Sequence, residues 1–254
     1  MKIKILDLAG FEPAIKAMRL SMKSGYKSDS SYGCMRQVSP HMYEPVCGKC
    51  AEQGHCPHEE TPEEWEDESY YFHIGKKDHE LSMKLCQAGS DYRKHIRLID
   101  VWAEIQAPLY WWKQFDTYRM GIDKVSESTM DTLTKKPIVI ADFESTPELN
   151  NLLLDVDNAD DSTTSLLDDL NNLREGGDFE TLNALLPQSY LQTSICKINY
   201  EAIRNMYHAR KKHKLKEWQQ FCDWIETLPY SEFITGEVKL MTDYVPEQST
   251  DNQD

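Results

Sequence analysis

The first third of the chain shows two simple amphipathic patterns. Apolar and polar residues alternate along Ile3–Leu8, which predicts a β-strand with one buried face. Apolar residues in Phe11–Met22 recur at helical spacing, and Pro13 lies in the first turn, where a helix tolerates proline. A second short helix is predicted over His79–Ala88, with Gly89 as its C-cap. The first third of the chain is therefore predicted to contain both a strand and helices.

The rest of the chain changes its period more than once. Between residues 91 and 110 the apolar positions shift from helical to strand spacing, so we expect a helix and then a strand that Pro108 ends. Leu186–Ile198 predicts a strand or an extended connection, and Tyr200–Ala209 and Leu215–Leu228 predict helices. The last of these helices has four apolar residues on one face, namely Trp218, Phe221, Cys222 and Ile225.

Two stretches have no clear period. Residues 24–69 are rich in Gly, Ser, Pro, Cys, His and Glu, and we interpret them as a Cys/His-rich insertion. Residues 142–182 are acidic, and we interpret them as a solvated surface insertion with one or two short helices. Residues 247–254 are polar and predicted to form a disordered tail. We therefore expect a single domain over residues 1–246 that carries both insertions.

The net charge of the chain limits the kinds of molecule that it is expected to bind. The chain has 254 residues and a formal net charge of −15. An acidic surface opposes binding to duplex nucleic acid, whereas one local basic pocket is enough for a small phosphate ligand. Lys2, Lys4 and Asp7 interrupt the first apolar run, which does not resemble a signal peptide, and no stretch is apolar for the roughly 20 residues that span a bilayer. We expect a cytoplasmic protein with a small-molecule substrate and no membrane partner.

Four of the seven cysteines lie between residues 34 and 56. The Cys-x-x-Cys turn of Cys47 and Cys50 places two thiolates on one side, which suits tetrahedral zinc. We predict a structural zinc site whose candidate ligands are Cys34, Cys47, Cys50, Cys56 and His58, with His41 as an alternative. Free thiols in a flexible insertion, an iron–sulfur cluster and a redox dithiol stay open as alternatives.

Two further segments combine polar or charged residues with aromatic ones. Residues 107–119 are rich in aromatics and are followed by Ser126-Glu-Ser-Thr-Met130. By composition alone they are an aromatic core segment and a capped turn, although they also fit a site that grips a ring and a phosphate. Residues 204–216 are the densest basic stretch of an acidic chain. They fit either a phosphate-binding patch or a solvated helix end, where cations suit the helix dipole.

These segments contain residues of a known signature in the same order. Its first half is matched by Ala107-Pro108, Gln114, Tyr118-Arg119 and, after a gap, Ser126-Glu127-Ser128. Its second half is matched by Leu186-Pro187, Gln192-Thr193, Asn199, Asn205, His208, Arg210 and Trp218, and an N-terminal helix motif by Ala17–Ser21. In these residues the chain resembles the flavin-dependent thymidylate synthase family (ThyX), in a divergent form of the kind found in phages. The resemblance lies outside residues 24–69 and 142–182.

The resemblance implies an α+β fold, with a sheet flanked by helices, and a homotetramer with FAD at the subunit interfaces. It implies an enzyme that methylates dUMP with methylenetetrahydrofolate, while NADPH reduces the flavin. The residues implied for FAD are Arg119, Asn205, His208, Arg210 and Ser90. Those proposed for the substrate are Gln114, Ser126, Gln192, Arg93 and Arg97, and those for catalysis are Glu127 and Ser128.

The sequence departs from the family where arginines are expected. Thr117 occupies the position of the signature's first arginine, and Thr193-Ser194 stand where the family has an arginine that grips the nucleotide. Threonine cannot supply the bidentate contact of a guanidinium group. Either cations such as Arg93, Lys94 or Arg97 compensate, or the substrate has changed, or synthase activity is lost. We expect weak or absent turnover of dUMP.

Two other kinds of protein stay open as alternatives. One is a catalytically altered or inactive relative that still binds flavin or nucleotide. The other is a zinc-stabilised interaction protein whose contact surface is residues 24–69. Bound flavin distinguishes the enzyme from the interaction protein, and turnover distinguishes the enzyme from the inactive relative.

Overall fold

The computed structural model describes residues 1–39, 42–45, 70–144, 146–154 and 164–237. Its strands are β1 (Lys2–Ala9), β2 (Ser31–Ser39), β3 (Met42–Pro45), β4 (Tyr70–His73), β5 (Asp100–Pro108), β6 (Ile122–Ser126) and β7 (Leu191–Asn199). Its helices are α1 (Phe11–Leu20), α2 (Lys76–Ala88), α3 (Leu109–Phe115), α4 (Thr129–Thr132), α5 (Pro147–Leu154), α6 (Leu166–Gly176), α7 (Phe179–Leu185), α8 (Tyr200–Arg210), α9 (Lys216–Glu226) and α10 (Glu232–Thr235). Short 3₁₀ turns cover Gly25–Lys27, Lys94–Leu98 and Ile140–Asp142.

A four-stranded antiparallel sheet in the order β1-β5-β7-β6 forms the centre of the fold. Alternation along β5 decides which face is buried, because Ala103 and Ile105 are fully buried while Glu104 between them is exposed. Cys196 of β7 pairs with Ala103 and lies on the same buried face. Residues of α1, α2, α3, α8, α9 and α10 also belong to the first hydrophobic cluster. The predicted α+β class, a sheet flanked by helices, is confirmed.

Most of the elements predicted from the sequence are present with shifted ends. β1 covers the predicted strand, α1 ends at Leu20 rather than at Met22, and α2 begins at Lys76 rather than at His79. The predicted helix between residues 91 and 110 is only the 3₁₀ turn Lys94–Leu98, and the predicted strand is β5. The apolar face of α9 is buried as expected, since Trp218 and Phe221 have no exposed surface.

Part of residues 24–69, where the sequence shows no clear period, nevertheless forms β-strands. β2 and β3 lie within it and form, with β4, a three-stranded antiparallel sheet in the order β3-β2-β4. Ser31 pairs with His73, so the partner of β2 lies far along the chain. Strand formation depends on such cross-strand neighbours more than on local preference, which is why a short sequence window missed it.

Residues 142–182 are predicted from the sequence to be a solvated surface insertion with one or two short helices. Short helices are present, three of them in the described part, but the interpretation as a wholly solvated segment is wrong. Helices α5, α6 and α7 each bury one leucine, namely Leu153, Leu170 and Leu182, none of which is more than 1% exposed. These leucines belong to a second hydrophobic cluster. α5 and α7 have only 8 and 7 residues, too few to show a clear period, whereas the leucines of α6 have helical spacing. The shared core forms where the three helices meet.

Some of the acidic residues in this segment cap helices. Ser165 and Asp168 form a capping box at the start of α6, and the Asp178 side chain accepts a hydrogen bond from the Thr181 backbone at the start of α7. Negative charge at a helix N-terminus is favourable because it interacts with the helix dipole.

β6 is a strand that the sequence did not predict. Gly121, with φ +76°, precedes it, and a Cβ at this position would lie 2.3 Å from the side-chain nitrogen of Asn199. The Asn199 backbone N–H donates to the Gly121 carbonyl oxygen, and the Asn199 side chain caps α8 by accepting from the Ala202 N–H. Glycine is therefore needed for β6 to approach the start of α8.

No helix among the described residues is long and apolar enough to cross a membrane. The predicted disordered tail, residues 247–254, lies outside the described residues.

Candidate functional site

Helix α8 carries predicted site residues on two opposite sides. At about 100° per residue, Glu201, Asn205 and His208 share one side, and Arg210 lies about 180° away from Glu201. Residues that the sequence assigned to one cofactor therefore face different neighbours within this chain.

A buried carboxylate on the first side of α8 gathers arginine side chains. Glu201 is 8% exposed, and the Arg93 Nε donates to its two oxygens at 3.1 and 3.2 Å. The Arg97 guanidinium lies 4.0 Å from the same carboxylate and is itself half-exposed. Arg93 and Arg97, which the sequence proposed for one ligand, are thus brought together. Glu201 was not predicted, although its spacing of four and seven residues from Asn205 and His208 places it on their side of the helix.

Two further basic side chains extend this group toward α10. The Arg204 guanidinium donates to the carbonyl oxygens of Phe233 and Ile234 at 3.1 and 2.6 Å, and the His208 Nε2 lies 3.1 Å from the Ile234 oxygen. Burial, and then the positive charge of Arg204, lower the pKa of His208. We call these five residues the Arg93 group: Arg93, Arg97, Glu201, Arg204 and His208. Two guanidinium groups at one carboxylate, with a third on the same side of α8, leave a local excess of positive charge in a chain of net charge −15, and such a surface suits an anionic ligand.

The other side of α8 forms the Arg210 group: Gln114, Tyr118, Arg210 and Trp218. The Arg210 guanidinium carbon lies 4.7 Å from the Trp218 ring centroid and 5.5 Å from that of Tyr118. Arg210 donates to the Tyr118 hydroxyl at 2.9 Å and approaches the Gln114 side-chain oxygen at 3.4 Å, an oxygen that also accepts from Trp218 at 2.9 Å. Gln114 and Arg210 are therefore held together by aromatic packing.

The Glu127 group lies at the end of β6, beside the start of β7, and consists of Ser126, Glu127, Gln192, Thr193 and Ser194. The Glu127 backbone N–H donates to the Thr193 oxygen, and its carboxylate accepts from the Thr193 N–H at 3.0 Å. The Gln192 amide donates to the Glu127 carbonyl at 3.0 Å, and the hydroxyls of Ser126 and Ser194 lie 2.9 Å apart. Three residues predicted from the sequence, Ser126, Glu127 and Gln192, thus meet on one polar edge.

The remaining predicted residues lie near these groups or apart from them. Ser128 follows Glu127 and caps α4 through the Asp131 N–H. Asn205 is exposed on the Arg93 side of α8, Arg119 is exposed in the connection from α3 to β6, and Ser90 is exposed in the turn after α2.

The Arg93 group and the Glu127 group lie near opposite ends of β7. Asn199 at one end pairs with Asp100, whereas Thr193 pairs with Gln106. Asn199 is six positions along the strand from Thr193, which corresponds to roughly 20 Å at about 3.3 Å per residue. Within one chain the structure therefore does not bring Arg93 and Arg97 to the Glu127 group.

The basic run 204–216 does not act as one patch. Lys211 lies 3.0 Å from the Glu237 carboxylate and 3.9 Å from that of Glu226, and Lys216 lies 2.5 Å from that of Glu144. These lysines pair with acidic residues, while Arg204 and Arg210 belong to different groups. The basic run is therefore partly a set of surface ion pairs.

The predicted zinc ligands Cys47, Cys50, Cys56 and His58 lie outside the described residues. Cys34 lies in β2, and nothing is described of its side chain. Among the described residues, no cluster of three or more His, Cys, Asp or Glu side chains is arranged to hold a metal ion.

The chain was compared with known families, curated proteins and solved structures, and only solved structures are similar to it. No family model matches the chain, and no curated protein matches it in sequence. It is similar in structure to the flavin-dependent thymidylate synthase ThyX from Helicobacter pylori complexed with FAD and dUMP, with a TM-score of 0.61, 15% identity, and coverage of 94% of this chain and 100% of that chain. A second structure of the Helicobacter pylori enzyme with FAD and dUMP gives a TM-score of 0.58 at 15% identity, covering 92% of this chain and 96% of that one.

A third solved structure differs in its described activity. The UMP/dUMP methylase PolB from Streptomyces cacaoi, bound with 5-Br dUMP, gives a TM-score of 0.52 at 13% identity, covering 91% of this chain and 92% of that one. At identities this low the likeness concerns the fold. The chain therefore has the fold of the flavin-dependent thymidylate synthases and of a related dUMP methylase.

Proposed function

We propose that this protein is a flavin-dependent methyltransferase that binds FAD and adds a one-carbon group to a pyrimidine deoxynucleotide. The observation that carries the proposal is the Arg93 group within a thymidylate synthase fold. In this group Arg93 and Arg97 lie at the buried carboxylate of Glu201. Arg204 and His208 lie on the same side of α8, where both contact backbone oxygens of α10. The flavin would supply the hydride chemistry, with NADPH and methylenetetrahydrofolate as co-substrates. The chain itself would supply charge and orientation.

The residues of the Arg93 group fit an anionic diphosphate such as that of FAD. Arg97 is half-exposed, and its guanidinium lies 4.0 Å from the Glu201 carboxylate, which is too far for a hydrogen bond. Its N–H donors therefore stay available for a ligand. Arg93 is fixed by its two hydrogen bonds to Glu201, which hold its positive charge at the surface of α8. Asn205 lies on the same side of the helix and offers an amide for a further hydrogen bond.

The other two groups fit the parts of a nucleotide site. In the Arg210 group a guanidinium that packs against two aromatic rings suits a phosphate or a ring carbonyl. In the Glu127 group, carboxylate, amide and hydroxyl functions suit the polar edge of a pyrimidine, so we assign Glu127 and Ser128 to the reacting base and Ser126, Gln192 and Gln114 to the substrate. Because these groups are apart within one chain, a homotetramer would assemble the complete site from different copies.

The first test is flavin binding. We expect the protein to carry FAD when purified, or to quench FAD fluorescence on titration, and Arg97→Ala to weaken FAD about tenfold to a hundredfold, the range for a charged hydrogen bond. Riboflavin, which lacks the diphosphate, should bind equally to both proteins. Lys4→Ala removes the same charge on the exposed face of β1 and serves as the control. A colourless protein that leaves flavin fluorescence unchanged contradicts the proposal.

The second test is turnover, measured as release of the C5 proton of dUMP with FAD, NADPH and methylenetetrahydrofolate. We expect it to be weak, because β7 has no arginine at Thr193 or Ser194. Robust turnover would show that the missing arginines do not limit the reaction.

One observation favours a second candidate, a relative that binds flavin and nucleotide without catalysis. The carboxylate of Glu127 already accepts from the Thr193 backbone, and the hydroxyls of Ser126 and Ser194 contact each other, so polar groups of this edge are occupied within the protein. Bound FAD with no turnover of any pyrimidine deoxynucleotide would identify this candidate.

A further inference from the structure

A lysine beside the Glu127 group is not used by the assignments above. Lys136 lies in the connection from α4 to the 3₁₀ turn Ile140–Asp142, and its Nζ is 3.1 Å from the Asp142 carboxylate. The other oxygen of Asp142 accepts from the Val139 backbone N–H at 3.0 Å, so the carboxylate is itself fixed by the turn. Asp142 therefore holds Lys136 in place.

The segment that carries Lys136 is attached to the start of β7. Phe143 and Tyr190 form a β-bridge, their rings are 5.7 Å apart, and the Glu144 N–H donates to the Ser189 oxygen at 2.8 Å. Glu127 is attached to the same strand two to three residues further on, through its two hydrogen bonds to Thr193. Lys136 and Glu127 are thus both held near Tyr190, which is 5% exposed.

Electrostatic interactions agree with this placement. Asp142 has the largest effect in raising the pKa of Lys136, and Tyr190 and Glu127 raise it further. Burial raises the pKa of Tyr190, and the charges of Asp142, Glu127 and Lys136 also act on it. The lysine, the phenol and the two carboxylates therefore share one neighbourhood.

A nucleotide bound at the Glu127 group would need a cation for its phosphate. From Leu191 to Cys196, β7 carries no cation, so a nucleotide with its base at Glu127 would bring a phosphate dianion to an edge without positive charge of its own. An ammonium group has three N–H donors, and Asp142 takes one of those of Lys136. The Lys136 side chain is 64% exposed, so a ligand can reach the remaining donors.

We propose that Lys136, held by Asp142, is the cation that receives the phosphate of the nucleotide substrate. The proposal rests on the proposed function, because it takes the base to lie at the Glu127 group. The substrate class is then a pyrimidine nucleoside monophosphate rather than a nucleoside. A compact ammonium group gives a weaker grip than a guanidinium fork, which agrees with the weak turnover expected above.

The experiment compares dUMP with deoxyuridine, which lacks the phosphate, in calorimetric titrations of the purified protein. We expect wild type to bind dUMP at least tenfold more tightly than deoxyuridine. Lys136→Ala should weaken dUMP about tenfold to a hundredfold and leave deoxyuridine unchanged, as loss of a charged contact predicts. Lys135→Ala is the matched control, since Lys135 is also exposed and adjacent in sequence, and it should change either affinity by less than about threefold.

A rescue variant separates loss of charge from loss of structure. Thr193→Arg in the Lys136→Ala background restores a cation to β7 and should recover most of the dUMP affinity. Equal binding of dUMP and deoxyuridine by wild type would overturn the proposal, and so would an equal loss of both ligands in Lys136→Ala. The flavin titration with Arg97→Ala reports on the proposed function separately, because neither Lys136 nor Lys135 belongs to the Arg93 group.

Discussion

Burial of His95 predicts a loss of stability in mild acid. His95 lies in the 3₁₀ turn that also carries Arg97, it is 5% exposed, and its Nε2 is 2.7 Å from the Ser82 hydroxyl. Burial lowers its pKa from 6.5 to about 4. Between these values the unfolded chain binds a proton that the folded protein does not, so stability falls as the pH falls through about 6.5 and continues to fall until about pH 4.

The magnitude follows from the two pKa values. Between pH 7.5 and 5.5 the native state loses about 1.4 kcal/mol relative to the unfolded state through His95 alone. We chose pH 5.5 as the lower limit because the isoelectric point is about 5.0, where solubility falls. With a urea m-value of about 3 kcal/mol per molar, the midpoint of unfolding should shift by about 0.5 M.

The assay is urea unfolding at both pH values, followed by the fluorescence of tryptophans such as Trp111 and Trp218, which belong to the first cluster. His95→Gln is expected to be less stable than wild type at pH 7.5, because the packing around residue 95 changes, but its additional loss at pH 5.5 should be smaller by about 1.4 kcal/mol. His79→Gln removes a partly exposed histidine and is the control. An equal pH dependence in wild type and His95→Gln would refute the reasoning.

Three further predictions concern stability and metal. Leu170→Ala should lower the free energy of unfolding by about 2–5 kcal/mol, since Leu170 is fully buried in the second cluster. It should also accelerate hydrogen exchange in α5–α7 more than in β5, and equal acceleration in both would contradict this prediction. Asp78→Ala should lower the free energy of unfolding, measured in urea, by about 3–5 kcal/mol, because it leaves the buried Arg19 guanidinium without the carboxylate that lies 2.6 Å away. A decrease of less than about 1 kcal/mol would be inconsistent with a buried ion pair between these residues. Elemental analysis should find about one zinc per chain, as four soft ligands in one short segment suggest; less than a few tenths of an equivalent, with no iron, would count against the site.

The elements with a strong local period could be predicted from the sequence because each carries its own pattern. β1, α1 and α9 show an alternating or helical distribution of apolar residues, and the apolar face of α9, with Trp218 and Phe221, is the face that the structure buries. The resemblance to ThyX led to the same fold as the comparison of structures, although only scattered residues carried it.

Elements whose stability comes from distant partners could not be predicted in this way. β2 is paired with β4, β6 forms where Gly121 approaches Asn199, and the short helices α5 and α7 each contribute a single buried leucine to a shared core. Their local patterns are weak because cross-strand and interhelical contacts, rather than an amphipathic period, supply their burial.

The sequence by itself determined the types of side chain available to a site, and only the tertiary structure decided which of them meet. Gln114 and Arg210 are far apart in the chain but in contact, whereas Arg210 and His208 are neighbours on opposite sides of α8. Glu201 became important because folding places it against Arg93, and Lys136 because its segment is attached to Tyr190, immediately before β7. Sequence spacing fixes the angle around a helix, but the partner at that angle is set by how the elements pack.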